Sequence, residues 1–423
     1  MMHYSKNSKL TVSPDKQTPT SFLHLALPVM DEPDLLNRLL DCLSNQSYKR
    51  YRLIVCVNQP DAWWDDAAKI TACRNNAATL KLLNSRKGMD ITILDHSSKG
   101  RGWTGKRIGV GYARKILMEH INHEARPEDV IVSLDADAVF SKNYLASIAN
   151  NLSSHPDAVA LSLPYFHRTT DDSKVSRAIL RYEIYMRHYF LNLARIGSPY
   201  AFTALGSAMA LPVWAYRAIG GMTPKLSGED FYFLQKLRKF GHLLLWNDET
   251  VYPEARFSDR VFFGTGPAMI KGAAGDWSSY PVYPSVLFDK ILETYLLLPV
   301  FYFQSPDTVI GRFISEIFKE SDPFQPLRSN HRDLDHFIRA FHEKFDGLRI
   351  LQFLKMQHDE LHSSDEASLH EFLYRFYPAT ELNKMKINWE KFSFESSPVR
   401  ELEKIRTFLF HKEMGVRSTS ALL

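Results

Sequence analysis

Cysteine is scarce: Cys42, Cys56 and Cys73 are the only three in 423 residues. They are odd in number, stop before residue 74 and show no CxxC spacing, so they imply neither a disulfide framework nor a zinc site. They fit the reduced thiols of a cytosolic chain. An excess of one charge is also missing. The 52 basic and 48 acidic side chains are spread along the chain and leave a net charge of +4. No basic stripe of the kind that grips nucleic acid stands out, so no nucleic-acid partner is expected. Long apolar runs are absent too. Residues 1–20, MMHYSKNSKLTVSPDKQTPT, have no apolar core, which excludes a secretory signal and reads as a flexible polar tail. From Ile196 to Tyr216 there is no charge, but Gly197, Ser198, Pro199, Gly206 and Pro212 cut that stretch into short pieces. A membrane-spanning helix wants about 20 apolar residues in one run. A loop, a buried strand and a helix start are expected there instead.

What is present is a core. Apolar residues make up 45% of the chain and aromatics 13%, enough for a large α/β domain with an appendage. FLHLALP (22–28), YRLIVCV (51–57), ITIL (91–94) and VIVSL (130–134) are short apolar runs that predict buried strands. Helical stripes alternate with them: Leu35 to Leu43 starting near Pro33, an Ala-rich stretch from about Asp66 to Leu83, and Ile108, Tyr112, Ile116 and Leu117. That alternation predicts a mainly parallel sheet flanked by helices, with its binding site at the carboxyl ends of the strands. AVALSL (158–163), SAMAL (207–211) and HLLLW (242–246) predict further strands. A long amphipathic helix is expected from about Lys174 to Ile196, and another from Glu229 to Phe240. Beyond about residue 280 the pattern is helical. The expected division is a tail (1–20), an α/β domain (21–278) and a helical C-terminal domain (279–423).

Residues 99–107, KGRGWTGKR, satisfy two phosphate-binding patterns and fit neither. A P-loop needs Ser or Thr after Gly-Lys, where this chain has Arg107. A dinucleotide fingerprint needs its glycines directly after a strand, and here Asp95 to Lys99 intervene. What is left is a glycine loop carrying Lys106 and Arg107 just before a helix. It is either a site for a phosphate-bearing ligand or a solvated basic loop.

VIVSLDADAVF (130–140) is more informative. Asp135 and Asp137 leave an apolar strand one residue apart, and strand alternation would point both carboxylates to one side. Two such charges call for a hard divalent cation with phosphate and water oxygens. Capping or turn aspartates are the plainer explanation, and a phosphatase-type nucleophile at Asp135 is a chemical alternative. LSGEDFYFLQKLRKFG (226–241) puts Glu229 and Asp230 at a helix start, where the helix dipole stabilises negative charge. The pair is either a first-turn pattern or a general base. RFSDRVFFGTG (256–266) offers Arg256 and Arg260 ahead of two glycines, as a phosphate-contacting loop or a surface turn.

Taken in order, these segments resemble the family-two-like nucleotide-sugar glycosyltransferases of the GT-A fold, over about residues 22–270. LALPVMDEPDLLNRLLDCLSNQSY is similar to the family's first strand, acidic turn and helix. GKRIGVGYARK is similar to its Gly-x-x-x-Ala-Arg-Asn segment, SLDADAVF to its DxD motif, and the stretch ending in Glu229-Asp230 to its Glu-Asp motif. Asp31 stands where the family usually has Asn, Asn58 where an aspartate often sits, and Lys115 where Asn follows Ala-Arg.

The resemblance implies metal-dependent transfer of a sugar from a nucleotide-diphosphate sugar to an acceptor hydroxyl, with inversion expected. It implies manganese or magnesium on Asp135 and Asp137, and Asp230 as the base with Glu229 supporting it. Pro28, Glu32, Asn58, Lys106 and Arg114 would line the nucleotide pocket; Arg107, Arg256 and Arg260, from the basic loops, are further candidates for binding the donor. The acceptor could be a carbohydrate, a lipid-linked molecule or a small molecule. A phosphohydrolase built on Asp135, or a non-catalytic sugar-nucleotide-binding relative, are the alternative readings. The expected compartment is the cytoplasm, with docking on the inner face of a membrane left open.

Overall fold

In the computed structural model, residues 21–105, 108–225, 228–258 and 264–420 are described. Lys106, Arg107 and Arg260 fall outside the described residues, as does the tail 1–20. Seven strands form one mixed sheet: β1 (Leu23–Val29), β2 (Tyr51–Asn58), β3 (Ile91–His96), β4 (Val130–Ser133), β5 (Ala160–Ser162), β6 (Met209–Pro212) and β7 (Leu243–Leu244). Their order is β3-β2-β1-β4-β6-β5-β7. β6 runs antiparallel to β4 and β5, and the remaining pairs are parallel. The expected mainly parallel mixed sheet, with helices on its faces and a helical C-terminal region, is what the chain forms.

All seven side chains of β1 and all four of β4 are buried, as strands covered on both faces require. The chain winds outward from β1 through β2 to β3, then returns to place β4 on the other side of β1. That reversal opens a crevice beyond the carboxyl ends of β1 and β4, where ligands of such sheets bind.

The helices are α1 (Pro33–Ser44), α2 (Ile70–Ser85), α3 (Val110–Glu124), α4 (Tyr144–Ser154), α5 (Ser173–Arg195), α6 (Val213–Ala218), α7 (Glu229–Phe240) and α8 (Thr265–Ala273). The C-terminal region adds α9 (Ser285–Leu296), α10 (Leu298–Phe301), α11 (Val309–Phe318), α12 (Gln325–Asn330), α13 (Leu334–Lys344), α14 (Gly347–Leu361), α15 (Asp365–Phe376), α16 (Ala379–Leu382) and α17 (Val399–Ser420). Pro33 opens α1, where its missing N–H costs nothing, and Leu36, Leu39, Leu40 and Leu43 form its buried stripe. α2 starts at Ile70 rather than Asp66, because Asp66 closes a turn of its own: its carboxylate accepts the Ala68 N–H at 2.9 Å and its carbonyl the Lys69 N–H at 3.0 Å.

α5 departs from the expected amphipathic helix. It is buried nearly all round, including Arg181, Glu183, Arg187, His188 and Asn192. α17 covers one side of it through a fully buried ionic network. Arg187 and Arg406 both donate to Glu183, at 3.3 and 2.8 Å. Arg187 and Arg417 donate to Glu413 at 2.5 and 2.7 Å. The Arg406 guanidinium also lies 3.7 Å from the centre of the Phe166 ring. Burial works against the Glu183 carboxylate, but Arg187, His167 and Arg406 hold it below the usual range. One apolar core runs continuously from sheet residues such as Ile131 and Met209 to Phe353, Phe372 and Leu409 of the C-terminal helices.

Candidate active site

The crevice is a cleft of about 620 Å³. It is lined by Pro28, Glu32, Asn58, Arg114, Asp135, Asp137, Glu229, Asp230 and Arg256. Every proposed site residue within the described part of the chain therefore reaches the same cavity. Pro28 belongs to β1, Asn58 ends β2, and Asp135 follows β4 by two residues. Each is delivered by a strand's carboxyl end.

β4 stops at Ser133, so the alternation rule does not bring the two aspartates together. Asp137 lies in a turn, closed by the Ala138 N–H donating to the Asp135 carbonyl at 3.1 Å. The turn achieves what alternation was expected to do: both carboxylates line the cleft.

Arg114, on α3, is the hub. Its side chain is 3% exposed, and its donors are committed within the protein. Nε donates to Glu229 at 3.1 Å, Nη2 to Asp135 at 2.5 Å, and Nη1 to Ser133 Oγ and the Gly206 carbonyl at 2.5 and 2.9 Å. A Cβ at position 206 would sit 2.2 Å from the guanidinium, so only glycine lets the arginine lie there. Arg114 thus fixes the first aspartate of the DxD relative to the Glu-Asp pair.

Arg256 does the equivalent work at the other edge, more loosely. It pairs with Glu32 and with Asp137 (3.2 Å), and its side chain is 26% exposed. Among the described residues the two guanidinium groups are outnumbered by Glu32, Asp135, Asp137, Glu229 and Asp230. Burial, with Asp135 and Glu32 nearby, pushes the Asp137 carboxyl up to about 6 despite Arg256. Burial and the adjacent Glu229 push Asp230 up to about 7, against the pull of Arg114. Asp230 sits in the first turn of α7, behind Gly228 in a left-handed conformation (φ 69°), and accepts the Phe231 N–H at 2.8 Å.

Among the described residues no group of three or more His, Cys, Asp or Glu side chains is arranged to hold a metal. The two aspartates still fit a divalent cation of the kind that takes few protein oxygens and completes its shell from phosphate and water. The surplus of carboxylates, and the raised Asp137 carboxyl, are what such an ion would relieve.

Asp31 is held at φ 61°, in the left-handed region that Asn and Asp tolerate best. Its N–H donates to Asn76 at 2.8 Å and its carboxylate accepts from Asn75 at 2.6 Å. The conformation turns the chain so that Glu32, the next residue, meets Arg256. The glycine loop does less than its pattern suggested. The Gly100 and Gly102 N–H groups donate to Asp61 at 2.8 and 3.2 Å, and Lys99 and Arg101 pair with Asp65 and Asp95. Its described part, 99–105, already serves internal carboxylates and does not line the cleft.

Residues 130–266, about a third of the chain, match the family model described as glycosyl transferase family group 2. The matched segment contains Asp135, Asp137, Glu229, Asp230 and Arg256, while Pro28, Glu32, Asn58 and Arg114 reach the cleft from outside the match. Among solved structures, the chain is similar to the mannosyltransferase PcManGT from Pyrobaculum calidifontis in complex with GDP-Man and Mn2+. The identity is 14%, the TM-score 0.39, and the match covers 96% of this chain and 88% of that one. It is similar to S. aureus TarS 1-349 in complex with UDP-GlcNAc at 11% identity and a TM-score of 0.40, covering 80% and 91%. It is similar to GalNAc-T7 with UDP, GalNAc and Mn2+ at 13% identity and a TM-score of 0.38, covering 76% and 57%. These likenesses are distant. A comparison with curated proteins finds no match. No helix among the described residues is long and apolar enough to cross a membrane.

The matched segment does not enclose the cleft alone, since Tyr280, Leu348 and Leu351 reach it from beyond residue 266. Tyr182, Tyr185 and Tyr189 of α5, Tyr280, and Leu348 and Leu351 of α14 form a wall that sequence reasoning missed. The tyrosine spacing of three and four was visible, but so many aromatics are ordinary core residues that nothing marked these. α14 could not be placed at all from a local pattern.

Proposed function

We propose that this protein transfers a sugar from a nucleotide-diphosphate sugar to an acceptor hydroxyl, with inversion, using Asp230 as the base. The observation that carries the reading is the Arg114 clamp, which holds Asp135 of the DxD and Glu229 of the Glu-Asp pair on one guanidinium, beside an Asp230 poised near neutrality. A carboxyl pushed up to about 7 is matched to accepting a proton at physiological pH. The acceptor oxygen attacks the anomeric carbon as its proton passes to the Asp230 carboxylate. The bond from that carbon to the diphosphate oxygen breaks, and its electron pair leaves with the nucleoside diphosphate.

Asp135 and Asp137 would hold a manganese or magnesium ion, whose chemistry is to neutralise the charge developing on the departing diphosphate. Arg256 and the first turn of α8, both at the cleft, supply a guanidinium and helix N–H groups suited to phosphate oxygens. Pro28 and Asn58, at the ends of β1 and β2, are placed to line the nucleoside end. Asn58 anchors its amide on the Val29 carbonyl at 3.0 Å. Lys106 stays assigned to the nucleotide pocket by sequence resemblance, and Arg107 and Arg260 stay candidates for the donor from their basic loops. The division at residue 278 remains the proposed boundary between the transferase domain and the C-terminal helices.

Replacing Asp230 by Asn tests the reading. Turnover should fall about 10²- to 10⁴-fold, the contribution of a general base, while donor affinity stays within about twofold. Equal turnover in the Asn variant would remove Asp230 from the mechanism.

A further inference from the structure

α5 has two faces of opposite character. Glu183 and Arg187 face α17, whereas Tyr182, Tyr185 and Tyr189, at spacings of three and four, line the cleft. Tyr182 is 7% exposed and Tyr185 8%, so both are almost wholly enclosed. Neither they nor Tyr189 donate a hydrogen bond to any described residue. The rings are fixed by one another. Tyr185 and Tyr189 are nearly parallel (26°) with centroids 6.2 Å apart, and Tyr280 meets Tyr182 and Tyr185 edge-on at 5.2 and 5.5 Å. Tyr182 is close enough to Asp230 to feel its charge. The wall therefore begins beside the proposed base.

α14 closes the other side. Asp346, just ahead of it, accepts from Gln235 and Lys239 of α7 at 3.0 and 2.6 Å, and the Leu348 N–H donates to Gln235 at 3.1 Å. Gly347 allows this close approach, since a Cβ there would sit 2.8 Å from Gln235 Oε1. Leu348 is thereby held over the cleft by the helix that carries Asp230.

We propose that the acceptor is a saccharide, seated against the tyrosine face of α5 and beneath the first turn of α14. The inference rests on the transfer reading above and names its acceptor class. Tyrosine offers an apolar ring with a polar tip. A sugar presents an apolar C–H face and hydroxyls together, so it satisfies both parts of the wall. An isoprenoid chain would cover the rings but leave enclosed hydroxyls without partners, at a cost in binding.

The test is ligand-observed NMR on the full chain with manganese and a nucleoside diphosphate. The probes are maltose, cellobiose, mannobiose and chitobiose, with farnesyl monophosphate as the lipid arm. At least one disaccharide should bind, and the Tyr185→Phe/Tyr189→Phe variant should weaken it about tenfold, the loss expected for absent hydrogen bonds. The variant keeps both rings, and an unchanged circular-dichroism melt confirms its fold. Binding of farnesyl monophosphate in place of any disaccharide overturns the inference, as does disaccharide affinity indifferent to the double variant. Donor binding measured alongside separates the two readings. If it persists while the saccharides fail, only the acceptor assignment falls; if it is absent, the transfer reading falls.

Discussion

At its strand end the cleft gathers Glu32, Asp135, Asp137, Glu229 and Asp230 around the guanidinium groups of Arg114 and Arg256. At its helix end it presents tyrosine rings packed on one another under Leu348. The aromatic end carries no charge to balance: its rings pack on one another, and only its hydroxyls seek partners. The charged end is unbalanced: among the described residues its carboxyl groups outnumber its guanidinium groups, and burial together with neighbouring carboxylates pushes two carboxyls up toward neutrality. A neutral surface responds to the shape and hydroxyls of what fills it. One that is electrostatically unfinished needs a cation, protons or both. The contrast says which end should respond to metal and pH, and which to the form of the acceptor.

The comparison breaks most severely at Arg114. Arg114→Met leaves Asp135 and Glu229 buried or half-buried with no partner, beside Asp230. Removing one side of a buried ion pair costs about 3–5 kcal/mol, which urea denaturation should show together with loss of transfer. The aromatic end has no single residue of comparable weight.

A smaller effect separates the ends by pH. The Asp137 and Asp230 carboxyls lie at about 6 and about 7 in the folded chain, above an unfolded value of about 4. The folded state therefore holds more protons across that window. The stability they contribute is complete below about pH 4 and is lost as pH rises through about 7. The melting temperature of the unloaded protein should accordingly fall between about pH 5 and about pH 7.5, and manganese should restore it at the upper pH far more than at the lower. Transfer should follow the opposite course, rising as Asp230 ionises and levelling above about pH 7. A melt that is flat with pH, or equally sensitive to manganese at both values, would deny the charged end its special status.

The mildest perturbation acts on the aromatic end alone. Gly347→Leu forces α14 away from Gln235. Overpacking there should cost about 1–3 kcal/mol. The acceptor KM should rise several-fold while donor affinity holds, as steady-state kinetics with each substrate varied would show.

The same contrast explains what could be read from residues in order. The charged end was legible because its groups sit in short segments next to strand exits or a helix start: Asp135 and Asp137 within VIVSLDADAVF, Glu229 and Asp230 opening α7. Buried strands announce themselves as apolar runs, so β1, β2 and β4 were found within a residue or two. What local pattern misses is pairing across distance. Nothing near Arg114 foretold that its guanidinium would bond Glu229, 115 positions away. Asp61 likewise captured the glycine loop from 39 positions upstream of Gly100. The aromatic end was hidden for the same reason, since α5 and α14, far apart in sequence, are brought together by packing on α9. α5 also read as amphipathic because its buried charges look like a solvated face until α17 supplies their partners.

Calorimetric titration of UDP- and GDP-sugars, with and without manganese, into the wild-type chain and Asp137→Ala probes the central claim most directly. The account predicts that one of the two donors binds only when manganese is present, and that Asp137→Ala abolishes the binding. Donor binding of equal strength without metal, undiminished in Asp137→Ala, would contradict it.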